Sequence, residues 1–160
     1  MGSARQQVTR TSADELAAFE IATRDLVGVA LRSVRELEVS LPQFRLLLVL
    51  HERGTSPSTE CALALGVVGS TVTRLADRLD ASGHLTRGSD PTNRSVVTLT
   101  LTDRGRKLVK QINTRRRKEL SNVLDRLDPD ERAACASALR HLHDLLTGDD
   151  ADELGRPMPL

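Results

Sequence analysis

The side chains best suited to bind another molecule lie in one short stretch of this sequence, STVTRLADRLDASGHLTR, which begins at residue 70. The stretch combines small hydroxyl groups with guanidinium groups, and such side chains reach phosphate oxygens and base edges in the major groove of DNA. The pattern therefore predicts contact with double-stranded DNA. Within the stretch, the residues that we predict at the DNA interface are Ser70, Thr71, Thr73, Arg74 and Arg78.

The same stretch has the spacing of an amphipathic helix, which would place those polar side chains on one face. Gly69 and Ser70 are typical of a helix start, and Ser82 followed by Gly83 is typical of a helix stop. Asp77 also falls on the polar face. The opposite, apolar face would pack against the rest of the protein. It consists of Val72, Leu75, Ala76 and Leu79.

Two strands and a charged tip are predicted after this helix. Leu85–Ser89 and Val96–Leu101 have strand character, and the letters DPTNRS between them are turn formers. With the short helix predicted before residue 66, this order indicates a helix-turn-helix followed by a wing. We expect Arg94 at the tip to enter or skirt the minor groove, with Asp90 orienting its guanidinium by an ion pair. Arg87, Asp90 and Arg94 complete the predicted DNA interface.

These segments resemble the multiple antibiotic resistance regulator (MarR) family of winged-helix transcription factors. The resemblance runs through LPQFRLLLVL, STVTRLADRLDASGHLTR and DPTNRSVVTLTLTDRG. It departs from the family pattern at Asn93 and Ser95, where charged residues are usual, and at Cys61, where a leucine is usual. The resemblance implies a mainly α fold with a small β-wing, in which a winged helix-turn-helix is joined to a helical dimerisation domain.

Long helices are predicted on both sides of the winged lobe. The first has apolar residues beyond one stripe, and so has the C-terminal part of the chain. Such helices either cover the core of one chain or pack across a two-fold axis, and we favour the second interpretation. The expected helices span 12 or 13–38, 42–52, 58–65, 103–127 and 129–146. The expected domains are an N-terminal dimerisation helix (12–38), the DNA-binding lobe (41–105), the long and C-terminal helices (103–146) and flexible tails (1–11 and 147–160).

Composition excludes several other functions. No run of about 20 apolar residues predicts a membrane helix and no signal peptide is evident, so we expect a cytoplasmic protein. The histidines and cysteines lack the spacing of a metal site, and no catalytic motif or cofactor loop appears, so we expect no cofactor and no enzyme. Cys61 and Cys135 both fall on apolar faces and are predicted to be small buried hydrophobes. An aromatic content of 1% lacks the stacking surfaces that single-strand binding uses.

The charge is uneven although the net charge is only +1. Residues 70–117 hold 11 Lys or Arg against 4 Asp or Glu, whereas residues 119–160 hold 4 against 10. The basic part coincides with the predicted helix, the wing and the start of the next helix. A phosphate backbone would therefore meet this end of the molecule.

Arg116 falls in the apolar stripe of the long helix, where an arginine must snorkel, pair with an acid or meet an anion. Proteins of the resembling family hold small aromatic ligands near such a position, which implies an anionic aromatic effector with Arg116 as its counter-charge. Phe44 and His51 are the other residues considered for this pocket, although a core position and a lobe edge also fit them.

The combined interpretation is a ligand-responsive homodimeric repressor that binds a pseudo-palindromic operator. Its two half-sites would lie about 34 Å, or one turn of DNA, apart. The alternative is a winged-helix protein-interaction or anti-repressor module. Arginines and hydroxyls on the predicted helix favour DNA, because a protein interface would usually expose apolar or aromatic anchors.

Overall fold

The computed structural model describes residues 10–35 and 37–147, so the predicted tails fall largely outside the described residues. As predicted, the fold is mainly helical with a small β-wing. The sheet is antiparallel and has three strands, Ser56–Pro57 (β1), Val97–Leu101 (β3) and Leu85–Ser89 (β2), in that order. Among the described residues, no helix is both long and apolar enough to cross a membrane. The elements are α1 (Ala13–Val34), α2 (Leu41–Arg53), β1 (Ser56–Pro57), α3 (Ser58–Leu65), α4 (Gly69–Ala81), β2 (Leu85–Ser89), β3 (Val97–Leu101), α5 (Asp103–Leu124) and α6 (Pro129–Thr147).

Two helices are shorter than predicted. The first ends at Val34 instead of residue 38, because the chain turns there to bury Val39 and to place Ser40 as the N-cap of α2. The long helix α5 ends at Leu124 instead of residue 127, and Asp125 forms its C-cap. The short strand β1 was not predicted, because two residues carry no alternating pattern. It exists through its pairing with β3.

The core of the chain lies inside the winged lobe. It is built on α2, whose apolar residues are buried against α3, α4, the sheet and α5. Cys61 is fully buried, as predicted, and burial raises the pKa of its thiol to about 11. Cys135 is exposed in the chain, so that prediction was wrong, because no described residue of α6 is buried. No three metal-ligating side chains come together within the described ranges.

One joint fixes the start of α5 to the end of α4 and the base of the wing. The hydroxyl of Thr102 caps α5 by accepting the Gly105 N–H at 3.1 Å, and it donates to the Gly83 carbonyl at 2.7 Å. The Thr102 N–H donates to the carbonyl of His84 at 3.1 Å. Gly105 packs so closely here that an added Cβ would lie 2.1 Å from that carbonyl oxygen. Only glycine fits this position without moving backbone.

We predict that Gly105→Ala lowers the free energy of unfolding by at least about 2 kcal/mol, because the new methyl group collides with backbone that cannot rotate away. Gly69→Ala is the matched control, since its Cβ would meet nothing within 4 Å and its φ is not positive. That change should be neutral or stabilise by up to about 1 kcal/mol. Urea denaturation measures both variants, and equal stabilities would show that the joint is not tightly packed.

Candidate nucleic-acid interface

The helix α4 presents the predicted polar side chains to solvent. It buries Val72, Ala76 and Leu79, so the other side of the helix faces outward. Thr71 is half-buried. The helix begins at Gly69 and has Ser82 as its C-cap, as predicted, but its N-cap is Val68, which makes no side-chain cap bond. The exposed members of the predicted set on this helix are Ser70, Thr73, Arg74 and Arg78.

Arg87 connects the wing to α4. From β2 it reaches back to Asp77, with its Nη2 2.7 Å from Oδ1, and the same nitrogen donates to the Thr73 carbonyl at 3.0 Å. The side chains of Arg87 and Asp77 are 31% and 60% exposed. The pair neutralises Asp77, the acid on the polar face of α4. The contact joins β2 to α4.

The wing tip is held by its own polar side chains. Oδ1 of Asp90 accepts the Thr92 N–H at 2.7 Å, the Asn93 N–H at 3.1 Å and the Thr92 hydroxyl. These bonds lower the pKa of Asp90, those from Thr92 most strongly. Oδ1 of Asn93 accepts the Ser95 N–H at 3.1 Å. No ion pair joins Asp90 to Arg94 among the described contacts, so that prediction was wrong: the carboxylate builds the turn instead.

Three arginines of α4 and the wing tip are exposed and form no ion pair within the described ranges. They are Arg74, Arg78 and Arg94. By contrast, Arg104 and Arg106 at the start of α5 pair with Glu38 and Asp103. The exposed arginines of α4 and the tip therefore carry charge that the described part of the chain does not neutralise, as do exposed lysines farther along α5.

The structure brings two of the three predicted ligand residues together. Phe44 is fully buried, and the guanidinium carbon of Arg116 lies 5.4 Å from the centre of its ring, a cation–π arrangement. Nη2 of Arg116 also reaches the Ser33 hydroxyl at 3.5 Å, a long hydrogen bond. Burial lowers the pKa of Arg116. This arginine therefore spans α5, α1 and α2 within the chain.

His51 lies elsewhere, on a groove of about 420 Å³ between the end of α2 and α5. Neither Phe44 nor Arg116 lines this groove. Sequence reasoning missed its α5 residues, although their spacing along one helical stripe was a readable signal. The groove is lined by His51, Arg106, Lys107, Lys110, Asn113, Thr114 and Arg117.

A second cavity, of about 520 Å³, lies where the segment after α1 meets α5. Its lining includes Glu38, paired with Arg104, together with Lys107 and the buried His84. The carboxylate makes this cavity less favourable for an anion than the groove beside His51, which no acid lines.

We predict that the Arg87–Asp77 contact contributes about 0.5–1 kcal/mol to stability, near the upper end for exposed pairs, because Arg87 is only 31% exposed. A double-mutant cycle of Arg87→Ala and Asp77→Ala in urea unfolding measures this coupling. The control cycle pairs Asp77→Ala with Arg94→Ala, which should be additive. Additivity in the first cycle as well would contradict the contact.

The chain is similar in sequence to a family model and to curated proteins of Bacillus subtilis. The model of the MarR family matches residues 39–97 of the chain. Three curated proteins of Bacillus subtilis, called helix-turn-helix-type transcriptional regulators, match 71 to 84% of this chain and 74 to 95% of their own length at 25 to 28% identity.

Solved structures extend the similarity over most of the chain. The crystal structure of RV1404 from Mycobacterium tuberculosis is 31% identical, with 86% of this chain and 96% of that one covered and a TM-score of 0.77. A MarR family protein from Bacillus stearothermophilus is 25% identical, with 87% and 100% covered and a TM-score of 0.76. BpsR of Bordetella bronchiseptica, whose DNA binding is regulated by 6-hydroxynicotinic acid, is 26% identical, with 80% and 97% covered and a TM-score of 0.61. The chain belongs to the MarR family of winged helix-turn-helix, DNA-binding transcriptional regulators.

Proposed function

We propose that this regulator is a homodimeric, ligand-responsive repressor that acts in the cytoplasm on a pseudo-palindromic operator. One observation carries the DNA-binding part of the proposal: the well-packed helix α4 turns an outward face of hydroxyls and two exposed arginines to solvent, beside a wing with a third. A helix of this kind fits the major groove, and its polar side chains meet base edges there.

On α4 we assign the recognition of bases to Arg74, with Ser70, Thr73 and Arg78 around it. Arg74 is exposed near the middle of the outward face and forms no ion pair in the described part of the chain. Bidentate contact with a guanine is the commonest specific contact of an arginine in the major groove. Thr71, which is half-buried, is better placed to reach a phosphate from the first turn.

At the wing, we assign a minor-groove contact to Arg94. The tip around it is fixed by bonds from Asp90 and Asn93, so little conformational freedom is lost when the arginine meets DNA. Arginine suits the negative potential of a narrow minor groove. Asp90 acts by shaping this turn, and Arg87 acts by holding the wing against α4.

The central test is Arg74→Ala on an operator first selected from genomic DNA fragments. We expect operator binding to weaken by about 1–3 kcal/mol, with a smaller effect on random DNA, because a base contact is lost. Arg126→Ala, which removes the same charge beyond the far end of α5, is the control and should change neither affinity. Equal behaviour of the two variants would remove Arg74 from the interface, and a selection that enriches no sequence would contradict the proposed function.

Dimerisation is supported by apolar surface that the chain does not cover. No described residue of α6 is buried, and α1 buries only Ala30, Ser33 and Val34. Exposed apolar area of this extent marks an association surface. We propose that α1, α5 and α6 form it with the same elements of a second copy. The large apolar residues exposed there are Leu16, Phe19, Ile21, Leu26, Leu31, Val123, Leu124, Leu127, Leu139, Leu145 and Leu146.

We predict that Leu139→Asp converts a dimer into a monomer at micromolar concentration, because it places a charge in the proposed interface. Leu139 is 46% exposed in the chain, so the change should leave the fold of one chain intact. Val97→Asp is the control, an apolar wing residue of similar exposure (43%) that should remain dimeric. Sedimentation equilibrium measures all three proteins. A monomeric unmutated protein would contradict the dimer.

The effector is proposed to be an aromatic carboxylate. BpsR, a relative over most of this chain, has its DNA binding regulated by one. The geometry favours the groove beside His51, where Lys110 and Arg117 line open space, over Arg116, which is already stacked on Phe44. Ligand bound against α5 would act on DNA through the joint between α5 and α4. Its effect cannot exceed its difference in affinity for the two states of the dimer.

We predict that Lys110→Ala weakens binding of 6-hydroxynicotinate or salicylate to the DNA-free protein about tenfold, because a charge-assisted bond is lost. Arg116→Leu should bind these probes normally. Isothermal titration calorimetry measures the affinity, and Lys118→Ala on the same helix is the control. If a folded Arg116→Leu protein loses ligand binding while Lys110→Ala keeps it, Arg116 and not Lys110 is the counter-charge of the ligand carboxylate.

A further inference from the structure

We propose that Val68 is a specificity residue of the DNA interface, whose side chain contacts the 5-methyl group of a thymine in the major groove. The inference rests on the proposed DNA-binding function and names a base that α4 recognises. Val68 is the N-cap of α4, in an extended conformation, and its side chain makes no cap bond. It is 68% exposed, the highest exposure among the large apolar residues described as exposed.

An exposed valine is unfavourable at this position in two ways. An N-cap normally carries a hydroxyl or carboxylate that accepts an N–H of the first turn. The same chain uses Ser12, Ser40 and Thr102 in that way at α1, α2 and α5. At α4 the side chain instead leaves the first-turn amides without that acceptor and places two methyl groups in water. Residues that depart from the local preferences of helix caps and of the protein surface are expected mostly at functional or strained sites.

The position of Val68 matches what such a side chain can recognise. The N-terminal residues of a recognition helix approach base edges most closely. Gly69 follows Val68, carries no side chain and has open space around it, so nothing screens the valine on that side. Ser70 and Arg74 are exposed farther along the same helix. The thymine methyl is the apolar group that the major groove presents, and apolar side chains recognise it by contact.

The test removes each methyl partner separately. Thymidines of the selected operator are replaced one at a time by deoxyuridine, which deletes only the 5-methyl group. We expect one symmetric pair of positions at which the unmutated protein loses affinity about three- to fivefold per half-site, the value of one buried methyl group. Val68→Ala and Val68→Ser should bind the thymine operator more weakly and should no longer distinguish thymine from uracil at those positions.

Two controls separate the contact from effects on folding. Val68→Ser restores a cap hydroxyl, so its melting temperature should rise while its operator affinity falls; a loss of fold would move both downward. Leu63→Ser removes an apolar side chain of nearly equal exposure (66%) from α3 and should keep full discrimination. If Val68→Ala and Val68→Ser discriminate thymine from uracil as the unmutated protein does, the inference is overturned. That result would leave the proposed function standing, whereas an unmutated protein that selects no operator would contradict the proposed function itself.

Discussion

The structure depends on the close approach of Gly105 to the carbonyl of His84, secured by the bonds that Thr102 makes on either side of it. Because no side chain fits between these backbones, the start of α5 cannot move independently of the base of the wing and the end of α4. The helix that carries the proposed DNA contacts is thereby rigidly joined to the long helix that leaves the lobe. A change in the position of α5 would consequently move α4 and the wing as a unit.

The same joint gives the proposed effector and dimer surfaces a physical connection to DNA binding. The groove beside His51 lies along α5, and Arg116 ties α5 to α1 and α2 through Ser33 and Phe44. Within one chain, the apolar side chains of α6 and of the solvent-facing side of α1 remain exposed. We therefore propose that a second copy fixes the spacing of the two α4 helices, and that a ligand in the groove alters it.

Much of this could be predicted from sequence, because the signals are local. The 3.6-residue period of α4 and the turn formers of the wing each act within a few residues, and the structure confirms both. The contacts that escaped prediction join separate elements. Arg87 contacts Asp77 only after the wing has folded against α4. Asp90 could have paired with Arg94 or accepted backbone N–H groups of the turn, and in the folded turn it accepts the N–H groups. The early end of α1 likewise follows from the burial of Val39 in the core, and the helical pattern of α1 alone carries no signal of that burial.

The claim that two rigidly joined α4 helices read one operator is tested most directly by changing the spacing of its half-sites. Inserting about 5 bp between the half-sites turns one of them to the opposite side of the DNA, because a turn holds about 10 bp. We predict that this insertion lowers binding to the level of random DNA. An insertion of a full turn would restore binding only if the dimer can stretch. Unchanged affinity for the operator with the 5 bp insertion would contradict the claim, since each lobe would then bind DNA independently.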